Sequence, residues 1–249
     1  MSIWERCQGE QHITSISGTL YRLVESQEHI ATLDYVDSLE EQALLEDMLE
    51  NTKPNYPDNS TSDHYLLKTP FRYPPLPWGS RFGRTYEPSL FYGGTTANTV
   101  LAESAYYRFV FWYSMETATC PAKIRTEHTL FSANYRATRG IQLQHHPFSD
   151  YANELSHPQA YQHCQQLGSA MRAAGVDGFE YPSARDKDQG LCVALFSINA
   201  FSKKRPKDKD QWLCELSESE VTFKQVDTPT IKRYQIHDFY YEGELPFPA

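Results

Sequence analysis

The sequence predicts a single α+β domain in which a mixed sheet is flanked by helices. Its length of 249 residues allows one large domain or two small ones. Apolar residues make up 40% of the chain and charged residues 22%, which is typical of globular proteins and excludes wholesale disorder. Predicted helices and strands are interspersed without strict βαβ alternation, and this order favours a mixed sheet over a parallel α/β fold.

Helices are predicted where a capping residue precedes an apolar repeat. They start after Ser38, after Thr95 or Thr96, and at Ser156. The apolar face of the first consists of Leu44, Leu45, Met48 and Leu49. This helix is expected to end before Pro54, and the one after Thr95 or Thr96 near Arg108. Gly175 should end the third, because glycine readily adopts the left-handed conformation that closes a helix.

Strands are predicted at short runs rich in β-branched and aromatic residues. They lie at 89–92, 129–137, 179–183, 191–197, 221–226 and 231–239. Gly93 and Gly94 are expected to form a turn after the first strand. Residues 202–210 carry mixed charges and are expected to form a solvated loop.

Charge and cysteine usage exclude several classes of function. The net charge of −9 provides no basic surplus for a nucleic-acid backbone. The apolar runs are far shorter than the roughly 20 residues that cross a bilayer, and the N-terminus lacks the features of a signal peptide. Five cysteines without C-x-x-C spacing indicate reduced thiols and no metal site. We therefore expect a cytoplasmic protein with no nucleic-acid or membrane partner.

Four widely separated residues carry side chains suited to one polar ligand. Arg81 lies in a Trp-Gly-Ser-Arg-Phe segment, and Tyr92 ends a short predicted strand. Glu103 falls on the inward face of the following helix. Ser183 lies far away in the segment 177–185. Each has an ordinary structural explanation by itself, as an ion pair, a core aromatic or a turn residue, so their combined order is the informative feature.

This ordered set resembles the RES family, named for its Arg, Glu and Ser. The family pattern is an Arg-aromatic turn, a strand ending in Tyr, a helix carrying Glu and a later Pro-Ser. An aromatic-Arg pair near the start of the domain is matched by Tyr21 and Arg22, and the resemblance covers about residues 19–200. It implies an ADP-ribosyltransferase-like fold and an enzyme that cleaves the nicotinamide–ribose bond of NAD+ by hydrolysis or phosphorolysis. It also implies a toxin whose partner is an antitoxin with a helix-turn-helix domain.

The chemistry of NAD+ fits the ligand-binding roles that the resemblance implies. A guanidinium forms a planar fork that matches pyrophosphate oxygens, a role expected of Arg81, with Arg22 as second candidate. The Arg81-to-Tyr92 interval is one residue longer than the family pattern, so Arg84 is an alternative to Arg81. A tyrosine ring can stack on the cationic pyridinium, which is expected of Tyr92 and, less firmly, of Tyr21.

Glu103 and Ser183 are expected to act at the reacting sugar. A fixed carboxylate stabilises the oxocarbenium-like sugar that remains when nicotinamide leaves, and Ser183 would bond the nicotinamide amide or the ribose. No metal is required, NAD+ is the substrate, and inorganic phosphate is a candidate co-substrate. Two alternatives stay open: a mono-ADP-ribosyltransferase that modifies a protein, and a non-catalytic interaction protein.

The resemblance also suggests domain boundaries. Residues 1–18 would be a polar lead-in, 19–240 the catalytic domain and 241–249 a C-terminal tail. The interval between Glu103 and Ser183 is long for the family, which implies an insertion around 114–155.

Overall fold

The computed structural model describes residues 1–26, 35–56, 62–115 and 122–248. Within these ranges the strands are β1 (Thr14–Glu25), β2 (Phe91–Gly94), β3 (Ile124–Gln142), β4 (Gly178–Pro182), β5 (Leu191–Leu195), β6 (Asp208–Leu216), β7 (Glu220–Gln225) and β8 (Ile231–Gln235). The helices are α1 (Ile3–Arg6), α2 (Leu39–Thr52), α3 (Tyr65–Arg72), α4 (Ala97–Ser114), α5 (Ala152–Leu155) and α6 (Gln162–Ala173). No helix in the described ranges has both the length and the apolarity needed to cross a bilayer.

All eight strands belong to one mixed sheet in the order β1-β2-β5-β4-β3-β6-β7-β8, and β1 also pairs with β3. Strands β1, β2, β5, β4 and β3 therefore pair in a closed ring, from which β6, β7 and β8 extend. The β3–β4 pair is parallel, whereas the pairs on either side of it are antiparallel. The predicted α+β fold with a mixed sheet is confirmed.

The core is divided among three groups of buried side chains. One lies between α4 and the β6–β7 hairpin, and includes Tyr106, Phe109 and Phe223. A second joins α1, α6 and β4 around Phe82 and Phe179. The third fills the space beside α3, β1 and β5. Helix α4 and the segment around Phe82 are thus each anchored in their own core, which fixes the two sides of the cleft described below.

The first predicted helix forms, but its apolar face is not a core face. The Ser38 hydroxyl accepts from the Glu41 amide, and α2 ends at Thr52, as the sequence predicts. However, Leu44 and Met48 are 60% and 58% exposed. Apolar spacing defines a shared face of a helix without determining whether another element covers it.

The Gly93-Gly94 segment is a strand rather than the predicted turn. Both glycines belong to β2 and pair with β5. A Cβ at Gly93 would lie 2.7 Å from the Tyr21 carbonyl oxygen, and one at Gly94 would lie 2.9 Å from a Val100 methyl. The glycines therefore permit close approach of β1 and α4. Thr96 is the N-cap of α4, which extends six residues past the predicted end at Arg108.

The helix predicted from Ser156 begins six residues later. Ser156 instead follows the last residue of the short α5, and α6 starts at Gln162. Pro158 lies between them, and proline disfavours the helical conformation in the residue that precedes it. The predicted end is correct, since Gly175 has a φ of +70°.

Two strands were not predicted, and both contain many polar residues. The supposed lead-in 1–18 contains α1 and the first part of β1, and the expected loop 202–210 contains the start of β6. Both strands pair with β3, which lies within 114–155 and forms the centre of the sheet.

The C-terminal segment is also packed, because the Tyr106 hydroxyl donates to the Pro246 carbonyl at 2.6 Å. The predicted strand 231–239 ends at Gln235 and continues as a 3-10 turn.

Candidate active site

A cleft of about 720 Å³ extends along α4, opposite residues of β1, β2 and the segment that contains Arg81. Its α4 side consists of Val100, Glu103, Ser104, Tyr107, Arg108 and Phe111. These residues recur every three or four positions and form one stripe about 16 Å long. The volume is within the range of small-molecule sites, and the length suits an extended ligand.

Glu103 and Ser183 are in direct contact, although 80 residues separate them. The Ser183 hydroxyl donates to Oε1 of Glu103 at 2.5 Å. The same hydroxyl oxygen accepts from the amides of Arg185 and Asp186 at 3.1 and 3.0 Å. Since these amides occupy the oxygen's two acceptor positions, the hydroxyl proton is directed at the carboxylate. The pair is therefore pre-oriented within the fold.

Cys192 lies beside this pair on β5. Its Sγ is 3.8 Å from Oε1 of Glu103. Burial, reinforced by the charge of Glu103, raises the pKa of the Cys192 thiol well above its usual value. The thiol therefore stays protonated and acts as a weak donor to the carboxylate rather than as a nucleophile.

Arg81 is buried at the edge of the cleft, where three groups fix its guanidinium. Nη1 donates to the carbonyls of Leu155 and His157 at 3.3 and 2.9 Å. The guanidinium also stacks over the Tyr161 ring at 4.5 Å. Arg84, in contrast, is not among the residues that line the cleft, and its guanidinium bonds the exposed Tyr86 hydroxyl at 2.6 Å. Of the two predicted alternatives, Arg81 faces the cleft.

Tyr92 lines the cleft, and its hydroxyl anchors the Arg81 segment. The hydroxyl is 2.8 Å from Oγ of Ser80 and accepts from the Phe82 amide at 3.2 Å. Burial raises the pKa of Tyr92 to about 12, so the phenol is neutral. Tyr92 thus connects β2 to both neighbours of Arg81.

Arg22 is a cation in the cleft wall, and no carboxylate among the described residues forms an ion pair with it. Nη1 donates to the Tyr92 carbonyl at 2.6 Å, and the guanidinium lies 4.9 Å above the Phe91 ring. Within the described part of the chain, its buried Nε has no hydrogen-bond partner. Burial lowers the pKa of Arg22 to about 10. An anion in the cleft would provide the missing counter-charge.

Tyr21 does not line the cleft, unlike its neighbour Arg22. It packs against the core beneath α4.

Sequence reasoning missed several lining residues, among them Tyr161, Arg108 and His128. Tyr161 has no local signal, because it reaches Arg81 from a distant part of the chain. Arg108 and His128 line the end of the cleft beyond Glu103. Arg108 lay at the end of the predicted helix, on the stripe that carries Glu103, and extending that helix would have added Phe111 to the same stripe.

Comparison with known proteins gives a family for the chain. The RES domain model matches residues 58–217, a range that contains Arg81, Tyr92, Glu103 and Ser183 but not Tyr21 or Arg22. The crystal structure of the M. tuberculosis MbcT–MbcA toxin–antitoxin complex is similar at a TM-score of 0.49 and 11% identity, over 86% of this chain and 91% of the matched chain. No curated protein matches the sequence. Because the RES model spans well over half of its residues, the chain belongs to the RES domain family.

Proposed function

We propose that this RES protein degrades NAD+ by cleaving the bond between nicotinamide and ribose. The observation that carries the proposal is the Glu103 carboxylate, oriented by Ser183 at 2.5 Å inside a cleft with two guanidinium groups, Arg22 and Arg81. The Glu103 carboxylate suits the sugar that becomes cationic as it reacts, and the two guanidinium groups suit the pyrophosphate of the same substrate.

The proposed reaction breaks the C1′–N bond of the nicotinamide riboside. The bonding electrons leave with the pyridinium, which departs as neutral nicotinamide and needs no proton. Positive charge develops at C1′ and on the ring oxygen, where Glu103 stabilises it. Water or phosphate then forms the new bond to C1′, and a water nucleophile releases its proton to solvent. The hydrogen bond from Ser183 keeps the carboxylate oriented throughout.

The two arginines contribute differently to binding. Arg22 has no carboxylate partner and a buried Nε without a bond among the described residues. The uncompensated charge supports a direct contact between the Arg22 guanidinium and the pyrophosphate, because a hydrogen bond between two charged groups is strong. Arg81 already donates to two carbonyls, and these bonds favour a fixed position close to Glu103. We therefore assign the main phosphate contact to Arg22, which reverses the order that the sequence suggested.

The biological role follows from the reaction. Depletion of NAD+ would arrest growth, as expected of a cytoplasmic toxin held in check by an antitoxin with a helix-turn-helix domain. This part of the proposal rests on family membership. An ADP-ribosyltransferase with a protein acceptor would use the same cleft and the same bond cleavage, so product analysis has to separate the two.

The test incubates the purified protein with NAD+, with and without phosphate, and identifies the products by mass. We expect free nicotinamide together with ADP-ribose or its phosphorylated form. Glu103→Gln keeps the size of the side chain and an acceptor for Ser183, and should lower turnover by about 10²- to 10³-fold. Glu40→Gln, at an exposed position on α2, is the matched control and should leave turnover unchanged. ADP-ribose attached to protein would indicate the transferase, and NAD+ left intact by folded wild type would contradict the proposal.

The cellular form of the test expresses wild type and Glu103→Gln and measures intracellular NAD+. Wild type should reduce NAD+ and stop growth, whereas the variant should do neither. Equal NAD+ in the two strains with growth arrest in both would show that a non-catalytic interaction causes the arrest.

A further inference from the structure

The cleft extends past Glu103 to a second polar region that bond cleavage does not use. Arg108 lies five residues after Glu103 on α4, which places it about 7.5 Å further along the helix axis. Glu25 on β1 and His128 on β3 line this end with it, and the partly exposed ring of Phe111 follows.

A neutral imidazole holds the Arg108 guanidinium. Nη2 of Arg108 is 2.7 Å from Nε2 of His128, which is almost completely buried. Burial, together with the charge of Arg108, lowers the pKa of His128 to about 4. The ring is therefore uncharged at neutral pH, and Nε2 is the acceptor because the guanidinium keeps its protons. Thr126 adds a second polar contact to Nε2 at 2.8 Å.

This arrangement orients the charge of Arg108 without neutralising it. Among the described residues the carboxylate that pairs with it is Glu25, which is 3.9 Å away and 63% exposed, whereas the Arg108 side chain is 18% exposed. Such a long pair with a solvated carboxylate contributes little. The guanidinium is thus held in position in the cleft wall, and its positive charge is largely uncompensated and available to an anionic ligand.

We infer that Arg108, positioned by His128, binds a phosphate at the end of the cleft away from Glu103, on the adenosine side of a dinucleotide. This inference rests on the proposed function for the identity of the dinucleotide. If Glu103 acts on the ribose that carries nicotinamide, the rest of an extended substrate follows the α4 stripe toward Arg108. The pyrophosphate would then be held between two guanidinium groups, Arg22 on β1 and Arg108 on α4.

The test measures binding of two probes to the full chain by calorimetry. ADP contains the adenosine-side phosphate, whereas nicotinamide mononucleotide contains only the other. Arg108→Gln can still donate to His128 but has no charge. It should weaken ADP binding about tenfold or more and change binding of the mononucleotide less than twofold. With NAD+ as substrate, KM should rise while kcat stays within about twofold.

The matched control is Arg136→Gln, an exposed position on β3 that changes the net charge equally outside the cleft lining. Its ADP affinity should equal that of wild type. Arg108→Lys serves if the glutamine variant does not fold, and should bind ADP several-fold more weakly because an ammonium lacks the planar fork. Thermal unfolding confirms that each variant is folded.

Several results would overturn the inference: no ADP binding by wild type, unchanged ADP binding in both Arg108 variants, equal losses in Arg108→Gln and Arg136→Gln, or an equal loss for the mononucleotide. Cleavage of NAD+ by the wild-type protein is measured in a separate experiment. ADP binding that depends on Arg108, without NAD+ cleavage, would refute the proposed reaction and leave the phosphate site standing.

Discussion

Gly168, in the middle of α6, permits a backbone contact that holds the Arg81 segment in place. A Cβ at this position would lie 1.9 Å from the Phe82 carbonyl oxygen and 2.8 Å from its carbonyl carbon. Gly168→Ala must therefore move α6 or the Phe82 backbone by about 1 Å before the contact reaches 3.0 Å, the lower limit for real Cβ atoms. Phe82 directly follows Arg81, so the shift reaches the cleft.

The expected losses of stability and activity differ in size. Overpacking costs about 1–3 kcal/mol, and the higher helix propensity of alanine offsets about 1 kcal/mol of this. The net loss of up to about 2 kcal/mol lowers Tm by a few degrees in a domain of this size. Arg81 is anchored to the segment before α6 by Leu155 and His157. A displacement of about 1 Å between its anchors can reduce turnover about 100-fold.

The assay measures NAD+ consumption at 25 °C and thermal unfolding of the same samples. Gln166→Ala, an exposed position on the same helix, is the matched control and should retain both properties. If folded Gly168→Ala consumes NAD+ within threefold of the wild-type rate, α6 packing does not position the Arg81 segment and the reasoning is refuted.

Three further predictions concern single side chains of the cleft. The pKa of His128 in the folded protein is about 4, below the ordinary value of about 6.5 that applies in the unfolded chain. The unfolded chain therefore binds this proton first as pH falls, and His128 alone should lower the free energy of unfolding by about 3 kcal/mol between pH 6.5 and 4. His128→Asn should remove that part of the decline in urea unfolding, and parallel pH profiles would count against it. Tyr92→Phe leaves the Phe82 amide without its acceptor and should cost about 1–3 kcal/mol in denaturant unfolding, whereas unchanged stability would show that the amide finds another partner. Arg22→Met removes the hydrogen bond to the Tyr92 carbonyl, so the free energy of unfolding should fall by about 1–3 kcal/mol, while calorimetry should show at least tenfold weaker NAD+ binding. A larger loss of stability with intact binding would mean that Arg22 is structural.

Local sequence signals predicted those features that depend on neighbouring residues. Ser38 and Thr96 are N-caps because their hydroxyls accept from amides three residues later. Gly175 ends α6 because it adopts a positive φ. The ordered Arg, Tyr, Glu and Ser identified the family, which the match over 58–217 confirmed.

Errors arose where a distant partner decides the structure. The polar β1 and the charged start of β6 are strands because each pairs with β3. The Gly93-Gly94 segment is part of a strand because it pairs with β5, which is distant in sequence. Leu44 and Met48 on α2 are exposed, and the core groups formed by the described residues contain no residue of this helix.

The sequence by itself determined the fold class, the helix caps at Ser38 and Thr96 and the family of this protein, because these depend on residue type, short-range hydrogen bonds and the order of motifs. Only the tertiary structure decided that Arg81 rather than Arg84 faces the cleft, that Tyr21 lies outside it, and that Ser183 orients Glu103. The direction of a side chain depends on elements brought together from distant parts of the chain, and no local pattern contains that information.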